Sequence, residues 1–153
     1  MALVVWSNQS FAQKLEDDPV ISVCESNKEM ARAISRARET LPLFFKSMKS
    51  PRPDQYGFAL KVAISDGKNI EHFWLKDIKR SKNGFAGTID NTPRNVSHVT
   101  FGQRFSFPHK DISDWMYRQN GKIYGGYTIR VLVKMIEPSE GARLKAMLAY
   151  QPD

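Results

Sequence analysis

The segment Asp111–Lys134, DISDWMYRQNGKIYGGYTIRVLVK, decides which fold this chain can adopt. Its first half brings a tryptophan, a methionine and a tyrosine together, and its second half places a glycine pair before alternating apolar residues. A segment this short cannot bury its apolar side chains against itself. The rest of the chain must therefore supply the elements that pack against it.

The first half of this segment predicts a short helix over residues 108–119. Trp115 follows Ile112 at a three-residue spacing, which is typical of one side of a helix. Asp111 stands near the positive N-terminal end of such a helix, where a carboxylate is favourable. We therefore expect a Trp-bearing helix here, ended by an Asn-Gly pair.

The second half predicts the last strand of a sheet. Gly125 and Gly126 admit a turn. After them, inward apolar positions alternate with outward positions such as Arg130, which is the period of a strand with one buried face. The inward positions of this predicted strand are Tyr127, Ile129, Val131 and Val133.

Four further strands are predicted upstream. The Asp66-Gly67 pair predicts a hairpin between the first two, because both residues can adopt positive φ. The centre of the second strand, Phe73-Trp74-Leu75, is apolar on both faces, which favours an interior strand covered on both sides. The four predicted strands are residues 58–65, 69–78, 84–91 and 99–107.

Two more helices are predicted at the ends of this sheet. Ser26 and Glu29 form a capping-box pattern before a run of apolar residues at helical spacing. We expect Pro42 to break or kink the resulting helix, because proline lacks a backbone N–H. A smaller helix is predicted over residues 139–150.

These elements together predict an α+β fold. We expect an antiparallel, strongly bent sheet of five or six strands, with barrel-like closure as an open alternative, packed by a long N-terminal helix, the short Trp-bearing helix and a C-terminal helix. Residues 1–153 should form a single domain. Residues 1–25 should form an arm with two short strands, 3–6 and 20–24.

Length and composition allow one soluble globular domain. The 153 residues are 41% hydrophobic, which is enough for a continuous core. The longest apolar runs fall far short of the roughly 20 residues that cross a bilayer. The first residues lack the positive region of a secretory signal, and the single cysteine, Cys24, has no internal partner. These features favour a cytoplasmic location.

The chain is basic, with a net charge of +7 and a sequence pI of about 9.6. The charge is uneven, because residues 1–25 hold one basic and four acidic side chains while residues 26–52 hold seven basic and two acidic ones. Such an imbalance indicates attraction to an anionic partner, or simply good solubility.

Four separated motifs stand in a recognisable order: Glu71–Trp74, Gly87–Pro93, Asp111–Trp115 and Gly125–Leu132. In this order they resemble the YegJ-like bacterial domain of unknown function, over about residues 40–134. The resemblance implies a shared α+β fold and a bacterial source. It supplies no catalytic residues, because that family is itself uncharacterised.

We predict no metal or cofactor site. His72, His98 and His109 are far apart in the sequence, and only His109 has a carboxylate, that of Asp111, at a local ligand spacing. Two local ligands do not complete a tetrahedral shell. The sequence contains no nucleophile elbow, Walker loop or dinucleotide fingerprint, and Cys24 is best explained as a buried strand thiol.

Asp111 and Asp114 are three residues apart on the predicted helix, as paired carboxylates for acid–base chemistry would be. The favoured interpretation is structural: Asp111 stabilises the helix terminus, and Asp114 accepts a hydrogen bond that positions Trp115. His72 becomes a general-base candidate if it lies beside Asp114, which the sequence alone leaves open.

Without a catalytic signature, we expect a non-enzymatic binding module for a protein partner, of the immunity or accessory type. Interfaces are enriched in Trp, Tyr and Met, although the same residues are equally typical of a core. The expected partner- or ligand-binding residues are His72, Trp74, Asp114, Trp115, Tyr117, Tyr124, Gly125 and Gly126.

Two alternative functions remain open. An anionic ligand or a nucleic acid would bind the exposed basic face from Lys28 to Lys49, with Lys28, Arg32 and Arg36 as the anion-binding residues. An enzyme would use His72 and Asp114. No membrane attachment is expected.

Overall fold

Six strands form one open antiparallel sheet in the computed structural model, which describes residues 28–150 of the chain. The strands are β1 Gln55–Ser65, β2 Ile70–Ser81, β3 Gly84–Ile89, β4 Arg104–Phe107, β5 Ile112–Gln119 and β6 Lys122–Gly125. They lie in the order β4-β3-β2-β1-β5-β6. The predicted α+β fold with a six-stranded sheet is confirmed. The two edges, β4 and β6, mean that the described sheet does not close into a barrel.

Among residues 28–150, three helices and a 3-10 turn accompany the sheet. They are α1 Lys28–Lys49, the 3-10 turn His109–Asp111, α2 Tyr127–Leu132 and α3 Pro138–Met147. Within residues 28–150, no helix has the length and apolar character needed to cross a membrane. The two strands predicted in the N-terminal arm, and Cys24, lie outside the described residues.

The helix α1 packs on one face of the sheet because its apolar residues form a single stripe. Leu41 and Phe44 are 1% and 0% exposed. They lie in one buried cluster with Val62 of β1, Phe73 of β2 and Trp115 of β5. Burial of this apolar surface is the main contribution that holds the helix on the sheet.

The opposite face of the sheet is covered by α2 and α3. Trp74 of β2, Met116 of β5 and Ile129 of α2 form a second buried cluster, and Leu144 of α3 packs against it. The strand β2 is therefore covered on both faces. This confirms the interior strand that its apolar centre predicts.

Residues 112–119 form a strand, so the predicted Trp-bearing helix is wrong. This strand, β5, pairs with β1, and its register shifts at Ser113, which is the extra residue of a β-bulge. Because of the bulge, Ile112 and Trp115 face the same buried cluster although they are three residues apart. A bulged strand thus imitates the spacing of a helix.

Residues 127–132 form the helix α2, so the predicted last strand is also wrong. Gly125 and Gly126, with φ values of 75° and 62°, turn the chain away from the sheet after β6. The carboxylate of Asp114 accepts hydrogen bonds from backbone N–H groups at the start of α2. These tertiary contacts override the β-branched composition of the segment.

Pro42 does not end α1, which continues to Lys49. The carbonyl oxygen of Ala37, just over one turn earlier, accepts hydrogen bonds from the indole N–H of Trp115 at 3.1 Å and the hydroxyl of Thr40 at 3.2 Å. The helix is continuous across the proline, where a break or a kink is predicted.

The predicted strand over residues 99–107 is shorter in the structure, because β4 contains only its last four residues. The preceding residues form a turn in which the N–H of Gln103 donates to the carbonyl oxygen of Thr100 at 3.1 Å. Phe101 lies in this turn and is 55% exposed, so it does not face the core as the alternation predicts.

Candidate functional site

The bulge in β5 brings a serine against a histidine on the sheet face that α2 and α3 cover. Ser113 Oγ lies 2.9 Å from His72 Nδ1 and donates to the carbonyl oxygen of Lys61 at 3.3 Å. Ser113 is buried and His72 is half-buried. We name five residues around this contact the bulge cluster: Lys61, His72, Trp74, Ser113 and Asp114.

Asp114 follows the bulge, and its carboxylate holds the start of α2. Oδ2 accepts hydrogen bonds from the N–H of Thr128 at 2.7 Å and from its hydroxyl at 2.6 Å. Oδ1 accepts from the N–H of Tyr127 at 3.1 Å and of Trp115 at 2.8 Å. A carboxylate that faces the first N–H groups of a helix is stabilising. Asp114 therefore joins β5 to α2.

Burial raises the pKa of Asp114 above its ordinary value of 3.8, because desolvation disfavours the charged form. The hydrogen bonds from Thr128 and Trp115, and the positive charge of Lys61, act in the opposite direction. The proton affinity of this carboxyl group therefore depends on α2 remaining docked on the sheet.

Lys61 and Trp74 lie side by side on the same face. Lys61 Nζ is 5.7 Å from the centre of the Trp74 ring, a cation–π arrangement, and the two residues are 5% and 0% exposed. Trp74 Nε1 has no hydrogen-bond partner among the described residues, whereas its backbone N–H donates to Asn91 Oδ1 at 2.8 Å. The cluster thus buries opposite charges next to an indole.

His72 and Asp114 do not form the direct pair that an enzyme was expected to use. All hydrogen bonds of the Asp114 carboxylate go to residues 115, 127 and 128. His72 Nδ1 contacts the hydroxyl of Ser113, which is buried. Asp111 lies in the 3-10 turn, so the two aspartates do not share a helix face.

Glu71, in the first of the four motifs, fixes the loop between β3 and β4. Its carboxylate accepts hydrogen bonds at 3.0–3.1 Å from the backbone N–H groups of Arg94, Asn95 and Val96. Trp74, in the same motif, binds Asn91 at the start of that loop. The motif Glu71–Trp74 is therefore hydrogen-bonded to the motif Gly87–Pro93. Asp114 in the same way joins the motif Asp111–Trp115 to the motif Gly125–Leu132.

The predicted binding residues Trp115, Tyr117 and Tyr124 form an aromatic stack. The ring centres of Trp115 and Tyr117 are 5.9 Å apart, and those of Tyr117 and Tyr124 are 5.3 Å apart. Trp115 and Tyr117 are 2% and 8% exposed, and Tyr124 is half-buried. This burial gives them a role in the core, the alternative that the sequence left open. Their contact with a partner stays a prediction.

Gly125 and Gly126, also predicted to bind a partner, are buried in the turn between β6 and α2. A Cβ on Gly125 would overlap the carbonyl oxygen and the ring of Trp115. The N–H of Gly126 donates to that same carbonyl oxygen at 2.8 Å. Close approach to the Trp115 backbone therefore explains Gly125, and a φ of 62° explains Gly126.

The predicted anion-binding residues Lys28, Arg32 and Arg36 are exposed on the N-terminal half of α1. Arg36 forms an ion pair with Glu39 at 3.1 Å. Arg38 on the same helix donates to the carbonyl oxygens of Ile112 and Lys110 at 2.8 and 3.0 Å, so it holds the entry to β5.

A second basic surface lies at the other end of α1, around the buried ring of Phe85. Phe45 of α1 stacks on this ring with centres 4.9 Å apart, Arg80 Cζ lies 5.5 Å from its centre, and the ring of His109 lies 6.4 Å away. The exposed cations at this end are named the basic end: Lys46, Lys49, Lys79, Arg80 and Lys82.

The three histidines are separated in the structure. His72 lies in β2, His98 in the loop before β4 and His109 in the 3-10 turn. Within residues 28–150, the His, Cys, Asp and Glu side chains form no group of three or more that could hold a metal ion.

Sequence reasoning missed Lys61, Ser113 and Thr128. Lys61 had a signal, because it is the one charged residue in the run FALKVAI over residues 58–64. Ser113 and Thr128 had none, because their roles depend on a bulge and on a helix start that the apolar spacing conceals. Sequence reasoning did not combine the end of the basic helix face with the basic loop after the second strand, because the two lie far apart along the chain.

Other bacterial proteins are similar to this chain. A family described as "Uncharacterized protein conserved in bacteria (DUF2314)" matches residues 27–149. A protein of Escherichia coli strain K12 named "Uncharacterized protein YegJ" is 35% identical over 148 residues, which are 97% of this chain and 94% of that protein. A Neisseria meningitidis serogroup B protein named "Putative ankyrin repeat protein" is 32% identical over 124 residues, which are 76% of this chain and 49% of that protein. No solved structure matches the chain significantly.

Proposed function

Since this chain belongs to the DUF2314 family of bacterial proteins, whose description names no activity, we propose its function from its surface: it is a non-enzymatic binding module for a protein partner. The observation that carries this proposal is the charge of the described residues. Residues 28–150 contain 22 Lys and Arg against 11 Asp and Glu, a net charge of +11.

Most of the acidic side chains are engaged within the fold. Asp114 holds the start of α2, Glu71 holds the loop after β3, and Asp66 Oδ1 accepts N–H groups of the β1–β2 turn. Four more form ion pairs: Glu29 with Lys134, Glu39 with Arg36, Asp54 with Arg52, and Asp90 with Lys76.

A surplus of exposed cations favours a partner with an acidic surface. Complementary potentials speed association and reject partners of the same charge. The bulge cluster differs, because it is largely buried and hydrogen-bonded within the fold. This contrast supports binding at the surface over catalysis in the cluster.

The neisserial relative supports a protein as the partner. Its name is "Putative ankyrin repeat protein", and the matched part makes up 49% of it. Ankyrin repeats stack into extended concave binding surfaces. Because the matched part of this relative shares a chain with such repeats, we propose that the present domain also binds a protein, as an accessory protein of the cytoplasm.

Nucleic acid is the second candidate, because the same net charge of +11 suits a phosphate backbone. A complex of this kind would lose affinity linearly with the logarithm of salt concentration, and nuclease treatment would remove it. A protein complex survives nuclease.

Native mass spectrometry of the tagged chain, isolated at low salt from its bacterial host and treated with nuclease, tests the proposal. We expect a protein companion in fixed stoichiometry. That companion is then purified, and its affinity for the chain is measured by isothermal titration calorimetry, which removes carry-over from the lysate. A bare monomer, or a companion with no measurable affinity, would overturn the proposal.

A further inference from the structure

We propose that the basic end is the surface that binds the partner, and that it recognises an acidic polypeptide segment. This inference rests on the proposed function and adds the place and the chemistry of recognition. Two separate parts of the chain form the surface: Lys46 and Lys49 come from the last turns of α1, and Lys79, Arg80 and Lys82 come from the β2–β3 hairpin.

Sheet topology brings these two parts to the same end of the molecule. The strands β1 and β2 are antiparallel, so the start of β1 lies beside the end of β2. The hairpin that joins β2 to β3 is at that end, with Ser81 opposite Gly84. The helix α1 ends there too, because only residues 50–54 connect it to β1.

The ring of Phe85 joins the helix to the hairpin. Phe45 stacks on it with an interplanar angle of 10°, and the guanidinium of Arg80 lies over it. Lys49 stands four residues after Phe45, on the same side of α1. The helix lysines and Arg80 therefore lie on the same side of the sheet, next to one buried ring. Lys79 pairs with Ala86 and adds its charge from the other side of the hairpin.

The positive charge of this surface is weakly opposed. All five cations of the basic end are exposed. Among the nearby acidic residues, Asp54 is paired with Arg52 at 3.6 Å, which leaves Asp77 as the carboxylate of the hairpin. A segment that presents several carboxylates complements this end, and such complementarity acts mainly on the association rate and on the choice of partner.

The aromatic residues at this end favour a polypeptide over a nucleic acid. Proteins that bind single-stranded nucleic acid stack successive bases on exposed rings. Here Phe45 and Phe85 stack on each other, and Arg80 covers Phe85. Tyr56, at the start of β1, is 52% exposed and provides a single aromatic anchor of the kind that protein interfaces use.

A short fluorescein-labelled oligoglutamate peptide is the probe, with affinity measured by fluorescence anisotropy and the binding surface mapped by amide chemical shifts. The test variant is Lys46→Glu/Arg80→Glu. The matched control, Lys28→Glu/Arg32→Glu, changes the net charge equally at the other end of α1. We expect the test variant to lose at least about tenfold in affinity and the control to lose much less.

Equal losses of affinity in the two variants, or chemical-shift changes outside the basic end, would overturn this inference. The proposed function would still stand, because isolation of a companion protein tests it separately. Tighter binding of a single-stranded oligothymidine of matched charge would also overturn it. Thermal denaturation checks that both variants fold. Lys46→Gln/Arg80→Gln, which neutralises the two charges without reversing them, repeats the test if charge reversal unfolds the chain.

Discussion

The carboxylate of Asp114 joins strand β5 to the start of helix α2. The sequence predicts that Asp111 caps a helix that begins near it. The capping carboxylate is instead that of Asp114, and the helix is α2. A carboxylate does stand at a helix start, but the residue and the helix differ from the prediction, because the apolar spacing of strand β5 is typical of a helix.

The raised pKa of Asp114 predicts how stability changes with pH. The folded chain holds this proton more tightly than the unfolded chain does. Its contribution to the free energy of unfolding is therefore fully present below the ordinary pKa of 3.8 and is lost as the pH rises through the folded-state pKa. Asp114→Asn removes this titration. Urea unfolding from acidic to neutral pH should show a smaller fall in stability for the variant than for the wild type.

Asp114→Asn should also lower stability at every pH by about 1–3 kcal/mol, because its amide N–H would face backbone donors such as that of Thr128. This constant loss does not bear on the pKa. The raised pKa is tested by how the difference in free energy of unfolding between the two proteins changes with pH. Two parallel curves of stability against pH would contradict it.

At the scale of elements, sequence patterns succeeded where structure is local. The β1–β2 hairpin follows from alternation and from Asp66-Gly67, whose side-chain and backbone groups close the turn by themselves. The strand β5 and the helix α2 failed because distant residues decide them. A bulge at Ser113 resets the spacing of β5, and the N–H groups that begin α2 are held by a side chain from another strand.

The turn between β6 and α2 gives a test at this scale. Gly125→Ala places a Cβ against the carbonyl oxygen and ring of Trp115 at a φ of 75°. Gly121→Ala meets a similar φ of 72° in open space, so it is the matched control. Each variant should lose about 1–2 kcal/mol for the left-handed backbone. Gly125→Ala should lose an additional ~1–3 kcal/mol from overpacking.

Chemical denaturation of both variants measures this difference. Equal losses would mean that the overlap with Trp115 is relieved at no cost, and that the turn does not need glycine for close approach. A larger loss for Gly125→Ala, with the near-ultraviolet signal of the tryptophans altered, would show that the contact between β5 and α2 depends on it.

At the scale of the whole molecule, composition predicts how much charge the chain carries but not where it accumulates. The sequence predicts an anion-binding face along the first helix, with Lys28, Arg32 and Arg36, because these basic residues are close in sequence. The basic end joins Lys46 and Lys49 to a hairpin some thirty residues away, and only the order of the strands reveals it. Lys61 shows the reverse case, a cation that the fold buries at 5% exposure.

The layered packing predicts a gradient of local stability across the sheet. The strands β1 and β2 are central and lie between α1 on one face and α2 with α3 on the other. The strand β4 is an edge of four residues. Amide protons of β1 and β2 should therefore exchange with solvent only through global unfolding, and those of β4 through local opening. Hydrogen exchange followed by NMR measures this order, and protection of β4 equal to that of β1 would show that the sheet opens as one unit.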